Sequence, residues 1–157
     1  FFLDGLYAKL SAHPGLNLTT FADALKVPSA PMKKLSAGSW VYGSFSTWIG
    51  SEDKNRGWDY LVRAKEDYDR VVRAKRLSGA QLDHATRQLA VCEGSDWFWW
   101  FGDYNPAGSV SDFEQLYRTQ LKELYRLLGV VPPAHLDEPL SHGGGFAENA
   151  GTMRRNV

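Results

Sequence analysis

The sequence predicts a mostly α-helical fold, a bundle-like domain of three main helices with short helices and long aromatic-rich loops. Two observations predict it. Apolar residues recur at helical spacing over 58–72, 82–92 and 113–128. A serine that can serve as a helix N-cap precedes each of these stretches, and the three serines are Ser51, Ser78 and Ser111.

Two short helices are predicted before the main ones. Apolar residues over 3–10 repeat with helical spacing, and the repeat stops near Pro14 and Gly15. Thr20 can cap a helical stub that must end before Pro28, because proline disfavours the helical conformation in the residue before it.

The starts of the main helices carry further capping signals. Acidic residues at 52–53 complement the positive end of the first helix dipole. Ser78 with Gln81, and Ser111 with Glu114, match the capping-box pattern, in which each side chain bonds a backbone N–H of the other residue. We therefore expect the second and third main helices to begin directly after Ser78 and Ser111.

The most unusual stretch is 93–103, which holds half of the six tryptophans and three carboxylates. We expect the helix of 82–92 to continue through it. One helical face then carries acidic and indole side chains, namely Glu93, Asp96, Trp97 and Trp100. Another face carries small and apolar residues suited to the core, namely Ala90, Gly94, Phe98 and Phe101.

Carboxylates beside indole rings form a surface suited to sugars. The C–H face of a pyranose stacks on an aromatic ring, and its hydroxyls donate hydrogen bonds to carboxylates. Tryptophans in a run are also commonly core residues, so core packing is the alternative. Burying three acids among these rings without partners would be costly, which favours an exposed acidic face. Asp103 is expected to point back toward whatever the indoles hold.

A second aromatic-rich stretch lies at 38–50, where glycine, serine and large aromatic residues follow neither a helical nor a strand period. Its glycines permit backbone conformations that other residues resist. The stretch is therefore predicted to be either an irregular packed loop or part of a ligand site. The residues alone leave both alternatives open.

Composition excludes several classes of function. The 157 residues make about one domain, carry no net charge and have no basic run apart from Arg154-Arg155, so no nucleic-acid groove is expected. No stretch is apolar enough for a membrane span. The single cysteine, Cys92, excludes an internal disulfide and fits a reducing, cytoplasmic compartment. Without zinc-ligand spacing or a phosphate-binding loop, no metal or cofactor is predicted.

The composition changes toward the end of the chain. Gly129 is predicted to close the last main helix, and glycine and polar residues dominate after 132–133. The sequence therefore predicts a helical domain over 1–140 and a glycine-rich tail or linker over 141–157. Because the chain opens on Phe1 rather than methionine, we expect it to be part of a longer protein.

The aromatic motifs occur in an order that extends through the last main helix. The segments in question are 38–40, 48–50, 55–58, the block at 93–103, Phe113, 116–118 and 124–129. Together they resemble the helical region of glycoside hydrolase family 57, and the resemblance covers roughly residues 1–140. In pattern the chain is most similar to the α-amylase-like and amylopullulanase-like members, which act on α-glucans.

The resemblance implies that this chain lies downstream of a catalytic barrel, which supplies the nucleophilic glutamate and the acid/base aspartate of a retaining mechanism. No catalytic residue is then expected in the chain itself. In that family the helical region packs on the barrel and lends aromatic residues to the substrate cleft. The resemblance thus implies substrate-binding roles for Trp97, Trp100, Glu93, Asp96, Asp103, Trp40 and Trp48.

Two details of the sequence bear on this implied role. Tyr104 and Asn105 stand where the family pattern often has a second acid and a histidine. Retaining glycosidases hold two carboxyl groups about 5 Å apart on opposite sides of the scissile bond. Glu93 and Asp96, one helical turn apart, are expected to project from the same wall, so they suit binding rather than cleavage.

Two functions are expected as alternatives. The first is a substrate-shaping helical domain of an α-glucan-acting glycoside hydrolase, in which a barrel outside this chain carries out hydrolysis or transglycosylation. The second is a non-catalytic helical module that docks another protein domain through its aromatic surface. The expected partners are an α-glucan or oligosaccharide and the catalytic barrel of the same parent chain.

Overall fold

A computed structural model of the chain describes residues 1–146, and the chain divides into two compact units, Phe1–Ser36 and Ala37–Val157. Helices make up 56% of the structure, which confirms the predicted mostly α-helical class. The division after Ser36 falls inside the helical domain predicted over 1–140. The boundary predicted at residue 140 remains a prediction.

The first unit carries two helices, α1 (Phe2–Ala12) and α2 (Phe21–Ala24). Thr20 caps α2, because its hydroxyl accepts a hydrogen bond of 3.1 Å from the backbone N–H of Asp23. Both short helices that the sequence predicts are therefore confirmed. Neither helix has a buried residue.

The described part of the second unit is built from helices, which are in order α3 (Glu52–Arg73), α4 (Gly79–Cys92), α5 (Asp96–Trp100), α6 (Ala107–Leu128) and a 3₁₀ helix (Ala134–Asp137). Helix α6 lies at the centre of the unit, because it packs against α3, α4, α5 and the 3₁₀ helix. Its buried stripe explains this position and consists of Tyr117, Leu121, Leu124, Tyr125 and Leu128. The three predicted main helices correspond to α3, α4 and α6.

Helix α6 begins earlier than its predicted capping box. It starts at Ala107, with Pro106 at the N-cap position, rather than after Ser111. The carboxylate of Glu114 does not fold back but binds Arg118, with Nε–Oε2 and Nη2–Oε1 distances of 2.7 and 2.9 Å. The predicted capping box is therefore wrong, because a buried ion pair recruits its glutamate.

The other two predicted N-caps are in place, although their side chains do not act as predicted. Ser51 precedes α3 and Ser78 precedes α4, as the sequence predicts. Neither serine makes a side-chain capping hydrogen bond. The positions of these helix starts are thus confirmed, whereas the capping-box bond predicted for Ser78 is absent.

The helix predicted to continue from α4 through 93–103 is interrupted. Helix α4 ends at Cys92, and α5 starts anew at Asp96. At the end of α4, the carbonyl oxygen of Val91 accepts hydrogen bonds from the N–H of Gly94 at 3.3 Å and from Nε1 of Trp97 at 2.8 Å. The indole thus satisfies a terminal carbonyl that a continuing helix would have used. The prediction that one continuous helical face carries Glu93, Asp96, Trp97 and Trp100 is therefore wrong.

The predicted apolar face of this stretch is confirmed in part. Phe98 and Phe101 are fully buried in the core. Ala90, predicted beside them, is exposed, and Gly94 is half-buried. The reason is the break after α4, which rotates α5 relative to α4 so that the two helices do not share one stripe.

The ion pair of Glu114 and Arg118 fastens the segment after α6 to the bundle. The two residues are 3% and 9% exposed. Nη1 of Arg118 donates to the carbonyl oxygen of Leu136 at 2.9 Å, and the N–H of Leu140 donates to Oε2 of Glu114 at 3.2 Å. The carboxylate of Glu114 also raises the pKa of Arg118. Because the two charges are paired and each makes a further hydrogen bond, the desolvation cost of burying them is offset.

The start of the predicted glycine-rich tail packs against the turn that follows α5. Ser141 is buried, and the N–H of Gly145 donates to the carbonyl oxygen of Asn105 at 2.9 Å. A Cβ at Gly145 would overlap the carbonyl of Tyr104, so this close approach of two backbones requires glycine. Residues 147–157, with the predicted Arg154-Arg155 pair, lie outside the described residues.

We expect Arg118→Met to lower the free energy of unfolding by about 3 kcal/mol, because it leaves the buried Glu114 carboxylate without its partner. Chemical denaturation at neutral pH measures the change. The matched control is Arg126→Met on the same helix, which removes an exposed guanidinium paired with Glu123 and should leave stability nearly unchanged. Equal effects of the two substitutions would contradict the assignment.

Candidate functional site

Lys54, in the first turn of α3, is the residue on which the candidate site is built. Its side chain is 0% exposed. Its Nζ donates hydrogen bonds of 2.5 Å to the carbonyl oxygens of Thr47 and Phe98 and to the hydroxyl of Tyr104. An ammonium group has three N–H donors, so all of them are used. The amine thereby joins the loop before α3, helix α5 and the turn after α5.

The loop before α3, residues 38–50, is an ordered segment, which we call the aromatic loop. The Oγ of Ser39 donates to the carbonyl oxygen of Ser44 at 2.5 Å and closes the loop on itself. The Nε1 of Trp58 in α3 donates to the carbonyl oxygen of Trp48 at 2.9 Å. The loop is therefore fixed both internally and against α3, in agreement with the packed-loop alternative.

The rings of Trp40, Trp48 and Trp99 form one group, which we call the indole cluster. The ring centroids of Trp40 and Trp99 are 6.3 Å apart with an interplanar angle of 14°. Those of Trp48 and Trp99 are 5.7 Å apart with an angle of 59°. Trp40 is 77% exposed, whereas the other two are half-buried. The cluster thus presents an open ring that is backed by two supporting rings.

Trp97 and Trp100 lie apart from the indole cluster and pack on α6. The ring of Trp100 stacks on Phe113 with a centroid distance of 4.5 Å and an angle of 11°. The ring of Trp97 lies 5.7 Å from that of Tyr117. Both indoles are half-buried. Two of the predicted site tryptophans therefore fill the contact between α5 and α6, and the other two lie in the cluster.

The predicted carboxylates are distributed over two places. Glu93 and Asp96 are exposed residues at the break between α4 and α5. Asp103 lies after α5 and lines a groove, to which neither of the other two contributes. The structure therefore does not bring the three acids together.

The groove at Asp103 lies between the aromatic loop, the start of α3 and the turn after α5. Its larger part has a volume of about 450 Å³ and is lined by Ser46, Ile49, Gly50, Ser51, Gly102, Asp103 and Tyr104. An adjoining part of about 220 Å³ is lined by Ser51, Glu52, Asp53, Gly102 and Asp103. Because three acids line it, we call it the acidic groove.

Hydrogen bonds hold the walls of the acidic groove together. The Oγ of Ser141 donates to Oδ2 of Asp53 at 2.8 Å and accepts from the N–H of Gly102 at 2.9 Å. Arg56 balances part of the negative charge, since its Nη2 lies 2.7 Å from Oε1 of Glu52. The buried Oγ of Ser51 has no hydrogen-bond partner within residues 1–146. The walls of the groove are thus held by hydrogen bonds between segments that are distant in sequence.

Side chains also bind the carbonyl groups at the end of α5. A helix of five residues cannot satisfy these groups internally. The carbonyl of Phe98 accepts a hydrogen bond from Lys54. The carbonyl of Trp99 accepts from Tyr104 at 3.2 Å and from Asn105 at 3.1 Å, and Asn105 also donates to the carbonyl of Trp100 at 2.9 Å. The backbone that carries the tryptophans is therefore held residue by residue.

Burial shifts the pKa values of the groups at the centre of the site. It lowers the pKa of Lys54 from 10.5 to about 8, while the charge of Asp53 opposes the shift. Burial raises the pKa of Tyr104 to about 12, and the charge of Asp103 acts in the same direction. At neutral pH an ammonium group therefore donates to a neutral phenol. Burial also raises the pKa of Cys92 to about 12, which makes its thiol a poor nucleophile.

Sequence reasoning missed Trp99, Lys54 and Tyr104, and it gave the groove acids Glu52 and Asp53 only a role at the start of a helix. A signal for Trp99 was present, because neighbours on a helix point roughly 100° apart and Trp99 cannot share the face of Trp100. No local signal marks Lys54, since its partners Phe98 and Tyr104 lie 44 and 50 positions along the chain. Long-range hydrogen bonds of this kind leave no trace in periodicity.

No family model matches this chain, and neither a curated protein nor a solved structure gives a significant match. The resemblance to glycoside hydrolase family 57 therefore stays a prediction. Each helix within residues 1–146 is too short or too polar to serve as a transmembrane segment. In the same part of the chain, no group of three or more His, Cys, Asp or Glu residues is placed to hold a metal ion.

The lowered pKa of Lys54 predicts a pH dependence of stability. The unfolded chain keeps the lysine proton up to about pH 10.5, whereas the folded chain releases it near pH 8. Folding therefore releases a proton between these values, and higher pH favours the folded state. Relative to Lys54→Met, the free energy of unfolding of the wild type should rise from pH 8 upward, by at most about 1.4 kcal/mol per pH unit.

Denaturation of both proteins over this interval, kept below the titration of Tyr104, measures the difference. The raised pKa of Cys92 acts in the opposite direction, because the folded state keeps that proton longer. Cys92 is present in both proteins, so its contribution cancels in the comparison. Parallel curves for the two proteins would contradict the lowered pKa of Lys54.

Proposed function

We propose that this chain binds an α-glucan through the indole cluster and the adjoining acidic groove, as the helical domain of a glycoside hydrolase. In this proposal a catalytic barrel outside the chain carries out hydrolysis or transglycosylation. The domain shapes the substrate cleft and holds the glucan. The single cysteine supports a cytoplasmic location.

The exposure of Trp40 is the observation that carries the proposal. A large ring that is 77% exposed leaves apolar surface in water, and covering that surface is favourable. Its ring lies nearly parallel to that of the half-buried Trp99, which supports it on one side. A pyranose can therefore stack on the open side of Trp40, and the contact with Trp99 reduces the conformational entropy that is lost on binding.

The acidic groove supports the same proposal. Trp48 lies between Ser46 and Ile49, which both line the groove, so the indole cluster and the acids are neighbours. Sugar hydroxyls are donors, and hydrogen bonds to carboxylates are stronger than those to neutral acceptors. Asp103 is exposed and therefore accessible to them. An aromatic ring with carboxylates nearby matches the apolar C–H face of a sugar ring and the hydroxyls around its rim.

Trp97, Trp100, Glu93 and Asp96 form a second contact region in this proposal. Both indoles keep part of their surface exposed although they pack on α6, and both carboxylates are exposed. Trp97 is also the N–H donor to the end of α4. We therefore assign these residues a smaller share of glucan binding than the indole cluster.

The alternative function, docking of another protein domain, is supported by a different observation. Three further large side chains of the aromatic loop, Tyr42, Phe45 and Ile49, are about half exposed alongside Trp40. Exposed apolar groups clustered on an ordered loop are typical of protein contact surfaces. In this alternative the partner is another protein domain, and the barrel implied by the first function is the one to test.

We expect isothermal titration calorimetry with maltooligosaccharides to give a saturable signal for the wild-type chain. Trp40→Ala should weaken binding at least about tenfold, because it removes the open stacking surface. Trp97→Ala should weaken binding less. The matched control is Phe146→Ala, which removes a side chain that is also 77% exposed and should leave binding unchanged.

The titration separates specific from general effects. A folded wild-type chain that gives no signal would overturn glucan binding by this chain. Equal losses in Trp40→Ala and Phe146→Ala would show that the indole cluster has no special role.

The docking alternative makes a separate prediction at Phe45, whose ring is exposed and lies outside the indole cluster. Phe45→Ala should weaken binding to the barrel encoded with this chain, measured by analytical ultracentrifugation, and should leave maltooligosaccharide binding unchanged. Unchanged association of the variant with the barrel would count against docking through the aromatic loop.

A further inference from the structure

We infer that Lys54 is a positioning residue for the indole cluster, because it holds the carbonyl groups of the residues directly before two of its rings. Thr47 precedes Trp48, and Phe98 precedes Trp99. The expected consequence is that Lys54 sets the arrangement of the rings that a glucan contacts, and this consequence rests on the proposed function.

The two carbonyl groups connect the amine to the rings. Both oxygens lie 2.5 Å from the same nitrogen, so the peptide groups before the two indoles are held close to each other. Trp48 belongs to the aromatic loop and Trp99 to α5, and their centroids are 5.7 Å apart. A shift of either peptide group would change the distance and angle between the rings.

Each indole is also restrained from its other side. The carbonyl oxygen of Trp48 accepts from Nε1 of Trp58 at 2.9 Å, and that of Trp99 accepts from the hydroxyl of Tyr104 at 3.2 Å. The first bond ties the loop to α3, and the second ties α5 to the following turn. Lys54 joins these two restraints, because its ammonium also donates to Tyr104.

The chemistry of the buried group supports a positioning role. Burying a cation costs more free energy than burying an apolar side chain of similar length. The lowered pKa of Lys54 reflects this cost, and Asp53 offsets only part of it. An apolar side chain would fill the same space but would leave two carbonyl groups without donors. The amine therefore provides directed hydrogen bonds at that point, which packing alone cannot supply.

Circular dichroism in the far ultraviolet tests the inference in the full chain. Two indoles at a fixed distance and angle couple their transitions and give a paired positive and negative band. The band that arises from Trp48 and Trp99 is identified as the part of the spectrum that is lost both in Trp48→Phe and in Trp99→Phe. We expect this band to lose most of its amplitude in Lys54→Met. Arg118→Met, which disrupts a buried cation elsewhere, should keep it.

The outcome decides for or against the inference. A band of wild-type amplitude in folded Lys54→Met would show that the rings are placed without the amine, and would overturn it. If Lys54→Met does not fold, Lys54→Gln replaces it, because its amide keeps two N–H donors but is too short to reach both carbonyl groups. The same loss is expected there, and an unchanged band overturns the inference.

Calorimetry with maltooligosaccharides tests the consequence for binding. Folded Lys54→Met should bind about tenfold more weakly than the wild type, since a displaced ring loses its stacking geometry. Arg126→Met, which removes an exposed guanidinium away from the indole cluster and the acidic groove, should bind normally. Equal affinities of Lys54→Met and the wild type would overturn this consequence. A wild type that does not bind glucan overturns the proposed function, whereas the band comparison still decides the role of Lys54.

Discussion

A buried ammonium group is tolerated only when each of its N–H groups has an acceptor, and the second unit satisfies this constraint at Lys54. The acceptors come from the aromatic loop, from α5 and from the turn after α5. These three segments must therefore converge on the first turn of α3. Their convergence places Phe98 against Trp58, with ring centroids 3.8 Å apart and planes within 3°. One nitrogen atom thus contacts both a segment that enters the core and segments that carry rings of the indole cluster.

Helix α5 shows how a short element serves both the core and the surface. Phe98 and Phe101 enter the core, Trp97 and Trp100 pack on α6, and Trp99 turns to the aromatic loop. Core packing therefore holds for Phe98 and Phe101, whereas the three tryptophans of the stretch are half-buried and line contacts with α6 or with the aromatic loop. The break before α5 makes this distribution of side chains possible, because in a helix continuous with α4 the same side chains would point in other directions.

The features that sequence reasoning predicted follow from apolar spacing, and those that it missed depend on individual hydrogen bonds. Helices α3, α4 and α6 follow from apolar spacing, because periodicity reports which face is buried. The break at Gly94 does not follow, since a glycine within a helix costs only about 1 kcal/mol and the side-chain bond from Trp97 to the carbonyl of Val91 leaves no signal in apolar spacing. Glu114 fits a capping box and an ion pair equally well in sequence, and burial beside Arg118 decided between them. Of the candidate site, Trp40, Trp48 and Asp103 were predicted, whereas Lys54 was not.

The turn after α5 bears on which residues remain for a ligand. Tyr104 and Asn105 directly follow Asp103, and both serve the structure. Tyr104 accepts from Lys54, and Asn105 donates to the carbonyl groups of Trp99 and Trp100. With these two side chains committed, polar contacts of the proposed glucan near the turn must come from Asp103 and the other acids of the groove. The aromatic contacts can come from rings that the same hydrogen bonds have already ordered, which favours a rigid site over one formed on binding.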